Sequence, residues 1–335
     1  MTQTAVVVQG RAGLLSTSAH ENISVVQDAP IPQPSDNEAL VKMLLSPVHP
    51  YDIHQIAAAS EDHREPPKPL PFVAGVEGLG EILSSSGAFK KGQRVIAVPW
   101  PSGTWQQYMA VPEKTLMAVP DGVSDEAAAQ FWANPLTALG LMEDAAVPQG
   151  QYLLQTAAGS VLGRMVIALA KRSGVKTINV VRRSAQKQEL LDIGGDVVIA
   201  TDKEDMLEKV VELTDGQGAY AALDAVAGPG FQQVLASVQK SGLVISYGIL
   251  SSSQITLDVM PLLRQAKKVH GWTLFDWLMR DGEDGAKRHM QHMWELFLDG
   301  TIEPLTGTKY PLHHVLEAIK ESEREARGGK VILRC

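Results

Sequence analysis

The sequence predicts an α/β protein in two parts, a small irregular β-domain followed by a doubly wound parallel sheet. Three observations carry this. At 335 residues the chain exceeds what one ordinary core holds. Residues 1–125 read as short strand-like runs broken by proline and glycine. From Ser124 onward, strand-like and helix-like segments alternate, the pattern of parallel strands with crossover helices.

In order, the β-part holds "TAVVVQ", "NISVVQ", "EALVKMLLSPV", "GEILSS", "QRVIAV" and "TWQQYMAVP". The stretch "ASEDHREPPKPLP" contains Pro66, Pro67, Pro69 and Pro71, so it is neither helix nor inner strand and is expected as an exposed, cleft-lining loop. In "SDEAAAQFWANPLTALGLM", Ser124 is expected to cap a helix whose first turn carries Asp125 and Glu126. The alternation then runs "QYLLQT" strand, "VLGRMVIALAKRS" helix, "KTINVVR" strand, "AQKQELLDIG" helix, "DVVIA" strand and "DMLEKVVELT" helix. It continues with "YAALDAV" strand, "GFQQVLASVQ" helix, "GLVISYG" strand and "KVHGW" as a sixth, edge strand. The tail reads as helices "KRHMQHMWELFLDG" and "LHHVLEAIKESERE" and a last strand, "KVILR".

Composition narrows the function classes. Apolar content of 44% and charged content of 20% are those of a soluble globular protein. A net charge of −8 opposes binding to nucleic acid or to an anionic membrane. No apolar run approaches a membrane span, and the N-terminus lacks the features of a secretory or transit signal, so a cytoplasmic protein is expected. The single cysteine, Cys335, permits no intrachain disulfide and no thiolate cage, and is expected to be exposed.

The stretch "QTAAGSVLGR" links a strand to a helix. A dinucleotide needs a tight turn whose backbone approaches a pyrophosphate, then a helix N-terminus aimed at it. Ala157, Ala158, Gly159, Ser160 and Gly163 supply small residues for that approach. Gly163 is expected to let the helix pack on the strand, and Ser160 to offer a hydroxyl to phosphate. The next strand ends in Arg182, Arg183 and Ser184 instead of the Asp or Glu that holds an NAD ribose. Two guanidiniums suit a 2′-phosphate, so NADPH is favoured over NADH.

With "HPYD", "GTWQQY", "NPLTA", "TAAGSVLG", "TINVVRR" and "GGK" in hand, the chain resembles the zinc-free medium-chain dehydrogenase/reductases. It is most similar to the branch of quinone oxidoreductases and 2-enoyl thioester reductases, over essentially its whole length. The resemblance implies a GroES-like β-domain, residues 1–125 with 276–335, and a Rossmann domain, residues 126–275. It implies NADPH contacts from Asn134, from Gly159, Ser160, Val161, Leu162 and Gly163, and from Arg182, Arg183 and Ser184. It further implies contacts from Tyr247, Gly248, Ile249 and Leu250, from Trp272, Thr273, Leu274 and Phe275, and from Lys330. Trp272, Phe275 and Trp277 are alternatively core or interface aromatics, and Asp224 is expected to orient a loop. Relatives pair Rossmann edge strands, which implies a homodimer through "KVHGW".

Zinc relatives carry two cysteines and the histidine of a G-H-E motif. Here His49 stands at the first cysteine's position, and Val76 replaces the histidine in "GVEG". One imidazole does not make a catalytic zinc site, so no metal is expected. His289, His292, His313 and His314 are expected as surface histidines.

Without zinc, the substrate must be polarised by hydrogen bonds and protonated by a side chain. Tyr51 is the candidate donor, standing where alcohol-reducing relatives carry a Ser or Thr hydroxyl. His54, one turn on, is the candidate relay, Asp52 a local backbone partner, and His49 a pocket residue. Enoyl thioester reductases carry a further tyrosine in a segment like "QGxYG"; the matching "AAASEDHREPP" has none. The expected function is zinc-independent hydride transfer from NADPH to a small-molecule quinone or the activated C=C of an enone or enoyl compound. A 2-enoyl thioester (enoyl-CoA) reductase of fatty-acid metabolism and a non-catalytic NADPH-binding redox sensor remain as alternatives. A zinc alcohol dehydrogenase is opposed by Val76.

Overall fold

The structure, a computed structural model, describes residues 1–9, 22–57, 70–99, 102–325 and 328–335. Most of the proline-rich loop lies outside the described residues. The chain divides into two compact units, Met1–Ala133 with Pro304–Cys335, and Asn134–Glu303.

The first unit begins with β1 (Thr2–Val8), β2 (Ile23–Pro30), β3 (Glu38–Pro47), α1 (Pro50–Ala57) and β4 (Phe72–Val73). It continues with β5 (Gly78–Ser84), β6 (Arg94–Ala97), β7 (Tyr108–Pro112), β8 (Leu116–Ala118) and α2 (Asp125–Ala128). Ser124 caps α2 by accepting from the Ala127 N–H, as its position before two acidic residues implies.

The segment after Ser124 forms two helices. α2 stops at Ala128, and α3 (Ala133–Ala145) starts anew. Pro135 marks the restart, since its missing N–H costs nothing in a first turn.

The second unit holds most of α3, then β9 (Tyr152–Gln155), α4 (Val161–Arg172), β10 (Lys176–Val181), α5 (Lys187–Asp192), β11 (Val197–Ala200) and α6 (Met206–Leu213). β12 (Ala219–Asp224), α7 (Phe231–Ala236), β13 (Val238–Ser246), α8 (Val259–Gln265), β14 (Lys268–Gly271), α9 (Leu274–Leu278) and α10 (Gly282–Leu298) complete it. Its six strands are parallel in the order β11-β10-β9-β12-β13-β14, with β14 at the edge. Leu154, Ile178 and Ala222 pack one face against Phe231 and Val210. Val181, Val198 and Ala200 pack the other with Ile167 and Leu190. Burial on both faces is why these strands are near-continuous apolar runs.

Residues 276–303, grouped by sequence with the β-domain, lie in this second unit, and residues 126–133 lie in the first. α10 is held there by side chains invisible to periodicity. The His289 ring packs on Trp277 with centroids 4.2 Å apart, and Arg172 pairs with Asp299 at 2.7 Å.

The tail then returns to the first unit as β15 (Thr306–Pro311), α11 (Val315–Glu323) and β16 (Lys330–Arg334). β16 pairs with β3, matching Ile332 to Pro47 and Leu333 to Ser46, inside a seven-stranded sheet. The C-terminus is therefore not a free end. Cys335 corrects the expectation of an exposed thiol: the residue is half-buried and its thiol donates to the Thr104 carbonyl at 3.7 Å. Burial pushes its pKa up to about 12.

Candidate functional site

In the second unit, β9 runs through a small-residue turn into α4. Ser160 is the N-cap, and its hydroxyl oxygen accepts from the Gly163 N–H at 3.0 Å. That contact uses a lone pair and leaves the hydroxyl hydrogen to donate. A Cβ on Gly163 would lie 2.5–2.8 Å from the Ala158 backbone, so only glycine lets helix and turn approach this closely. Gln155 reinforces the junction from below, its amide donating to the Gly163 carbonyl at 2.9 Å and to Asn179 at 2.8 Å. The turn, with Gly159, Val161 and Leu162, thus presents backbone N–H groups at the positive end of a twelve-residue helix.

Arg182, Arg183 and Ser184 follow β10 at the carboxyl edge of the same sheet, where Arg182 is exposed and Arg183 half-buried. Ser184 gives its N–H and its hydroxyl to the Asp202 carboxylate, at 3.0 and 3.1 Å. Asp224 holds the adjoining loop, accepting from Thr156 and from the Ala227 N–H, both at 2.7 Å. The Tyr247–Leu250 backbone lies on that loop: Tyr247 N–H donates to the Asp224 carbonyl and Leu250 N–H to the Ala225 carbonyl. A Cβ on Gly248 would come within 2.6 Å of that Ala225 oxygen. Ile249 is half-buried and Leu250 exposed beside it. Burial, then the nearby Asp224 charge, raises the Tyr247 phenol above its ordinary pKa, so it stays protonated.

Asn134 occupies the first turn of α3. The Trp272 side chain is spent on that helix. Its indole donates to Asp144 at 2.8 Å, while the Trp277 indole donates to Glu143 at 3.1 Å, and both rings cover Gly140. Burial alone would raise the Asp144 carboxyl, but hydrogen bonds from Arg280 and Trp272 hold it below the usual range. Thr273 caps α9 by accepting from the Asp276 N–H. Leu274 is half-buried, and Phe275 is 68% exposed.

In the first unit, α1 starts beside His49. Its N–H donates to Asp52 at 2.7 Å, the backward reach of a capping box. This fixes the turn that carries Tyr51, 44% exposed, and His54, half-buried. Burial lowers the His54 pKa, so at neutral pH it is the uncharged imidazole.

Beneath α1 lies a cluster that sequence reasoning missed. His49, Glu77 and Lys330 are all buried. His49 Nε2 meets Glu77 Oε1 at 2.7 Å, and Lys330 Nζ meets His49 Nδ1 at 3.1 Å. The neutral Nε2–H tautomer satisfies both: Nδ1 accepts from the ammonium, and Nε2–H donates to the carboxylate. Glu77 also accepts from the N–H groups of Trp132 and Ala133, at 2.6 and 3.2 Å, and so secures the residue that opens α3. Lys330, expected at the nucleotide, is placed against His49. One signal was available: a glutamate inside the apolar, small-residue run "FVAGVEGLG" is a buried charge in need of partners.

Zinc does not fit these residues. His49 has both nitrogens engaged, by Glu77 and Lys330, and an ammonium 3.1 Å away would repel a dication. Among the described residues, no group of three or more His, Cys, Asp or Glu side chains is placed to hold a metal. Of the tail histidines, His292, His313 and His314 are exposed as expected, and His289 differs. His289 is half-buried on Trp277 and 3.7 Å from Glu143, while His292 and His314 face Glu295 and Glu317.

A GroES-like β-unit with a doubly wound unit whose small-residue turn opens a helix defines a two-part dehydrogenase class. Residues 35–121 match the family model of the alcohol dehydrogenase GroES-like domain, and residues 161–291 that of the zinc-binding dehydrogenases. The mitochondrial enoyl-[acyl-carrier-protein] reductase of Xenopus tropicalis is 30% identical over 315 residues, covering 90% of this chain and 89% of the relative. A mycobacterial protein solved in complex with NADPH superposes with a TM-score of 0.86 at 25% identity, over 100% of both chains. A mycobacterial quinone oxidoreductase superposes at 0.81, also at 25% identity and over 100% of both chains. The chain belongs to the medium-chain dehydrogenase/reductase superfamily of oxidoreductases.

Proposed function

We propose that the protein is an NADPH-dependent, zinc-independent reductase acting on a quinone or on the activated C=C of an enone or enoyl compound. One observation carries the reading: a turn that tolerates only glycine at 163 leads straight into the N-terminus of α4, the arrangement a pyrophosphate requires. Ser160 and the Gly159–Gly163 backbone would hold the diphosphate, and Arg182 with Arg183 the 2′-phosphate. When bound, NADPH supplies the hydride.

The chain's own part is protonation and placement. Tyr51 projects from α1 and donates to the anion that the reduced substrate would otherwise carry. Uncharged His54, one turn along, relays the replacement proton. His49, held between Lys330 and Glu77, keeps the start of α1 in place.

A second reading, reduction of 2-enoyl thioesters, is supported by the relatives named enoyl-[acyl-carrier-protein] reductase, at 26–30% identity. The test is NADPH oxidation by the purified protein with quinones, enones and 2-enoyl thioesters. Turnover with thioesters alone selects the second reading. Tight NADPH binding without oxidation by any of them converts the protein into a redox sensor.

We also propose a homodimer paired through the β14 edge. Val259, Met260 and Leu263 on the preceding α8 are exposed, Leu263 at 73%, and covering them favours association. A monomer in sedimentation at micromolar concentration would refute it. No helix among the described residues is long and apolar enough to cross a membrane. The cytoplasm is the compartment we propose, and cell fractionation checks it against the mitochondrial location of the named relatives.

A further inference from the structure

The end of β10 lacks the acidic residue that would hold a ribose hydroxyl, but the fold brings one there from the neighbouring strand. β10 and β11 are parallel and in register, with Val181 opposite Ala200. The Thr201 N–H donates to the Val181 carbonyl at 2.9 Å, so the segments leaving both strands start side by side at the carboxyl edge. Asp202, next in line, accepts both donors of Ser184. Ser184 opens a short helical turn ending at Gln186, and the Gln186 amide lies over Gly159: a Cβ there would be 2.3 Å from its nitrogen. One continuous rim therefore runs from the small-residue turn through Gln186 and Ser184 to Asp202.

The rim carries both signs of charge. Arg182, Arg183 and Lys203 are cationic, while Lys187 is neutralised by Glu204 at 2.7 Å. Hydrogen bonding from the Ser184 backbone, followed by the Ser184 hydroxyl and the Lys203 charge, lowers the Asp202 pKa against the opposing effect of burial. Asp202 is thus a carboxylate at neutral pH. A carboxylate accepts from a ribose 2′-hydroxyl and repels a 2′-phosphate, the opposite preference to that of the arginines. It also holds the Ser184 donors that a phosphate would otherwise engage.

We propose that Asp202 is a specificity-determining residue that lets the protein use NADH alongside NADPH. This rests on the cofactor reading above. The guanidiniums attract the phosphorylated nucleotide, Asp202 tempers that attraction, and its free lone pairs accept from the unphosphorylated ribose.

The test is the pair of dissociation constants for NADPH and NADH, measured by calorimetry on the full-length wild type, Asp202→Asn and Asp202→Glu. The wild type is expected to bind both nucleotides. Asp202→Asn should raise the preference for NADPH by about tenfold, tightening NADPH and weakening NADH, with a smaller change at high salt because the group is exposed. Asp202→Glu should keep the wild-type preference. If both nucleotides weaken in parallel in Asp202→Asn, the residue merely supports the turn and the proposal is overturned. A wild type that binds NADPH but no NADH overturns it while leaving the NADPH reading intact. A wild type that binds neither removes the cofactor reading, and this inference with it.

Discussion

The two candidate sites are built from opposite materials. In the second unit, the nucleotide-type site is backbone: a turn of small residues, a helix end, and a glycine whose missing Cβ admits the Ala158 backbone. In the first unit, the site around α1 rests on buried polar side chains, the neutral His49 imidazole between Glu77 and Lys330, brought together by a strand pairing that joins the chain's tail to β3. A backbone site is robust to most side-chain changes but intolerant of volume at one or two positions. A buried charge cluster has the reverse character, because removing any member leaves the others uncompensated in a low-dielectric core.

The largest effect should come from breaking that cluster. Glu77→Ala removes the acceptor of three N–H donors, those of the His49 ring, Trp132 and Ala133, and should cost about 3–5 kcal/mol in urea denaturation, whereas Glu77→Gln, which keeps an acceptor, should cost clearly less. If Glu77→Ala costs no more than an ordinary surface substitution, the cluster does not hold the first unit together. Next is Tyr51→Phe, expected to lower kcat on the accepted substrate by about a hundredfold while leaving the urea midpoint unchanged, since the ring is largely outside the core. Unchanged turnover would remove Tyr51 from the chemistry.

In the second unit, Gly163→Ala forces a Cβ into the Ala158 backbone. It should cost about 1–3 kcal/mol of stability and weaken NADPH by about tenfold in calorimetry, so a variant that binds as well as wild type would refute the close-approach argument. The smallest effect concerns reactivity alone. Cys335, with its pKa pushed up to about 12, should be alkylated far more slowly in the native protein than in the unfolded one. The native rate should climb with pH well beyond the range in which an ordinary thiol has already ionised. Equal rates at pH 8 would show that the C-terminus is not held in the sheet.

How much was legible follows the same division. The βα alternation, the Ser124 cap, the edge strand at 268–271 and the small-residue turn are local patterns, and each occupies its expected place. The anchoring of the start of α3 was not read, because it depends on Glu77 reaching the Trp132 and Ala133 N–H groups from 55 and 56 residues away. The partial burial of Cys335 was likewise hidden, since a terminal residue gives no sign that its strand will pair inside a sheet. The carboxylate beside Ser184 was overlooked because the rule for that strand end looks only along the chain, and Asp202 arrives from the next strand.

By itself, then, the sequence determined the succession of elements, the nucleotide turn and the superfamily, all of which rest on residues within a few positions of one another. Only the tertiary structure decided which polar partners the charged groups meet: Lys330 with His49, His49 with Glu77, and Ser184 with Asp202. The physical reason is that short-range geometry is written in φ/ψ preference and hydrophobic period. Pairing of buried or rim charges is instead settled by strand register between segments up to 281 residues apart, which no local pattern encodes.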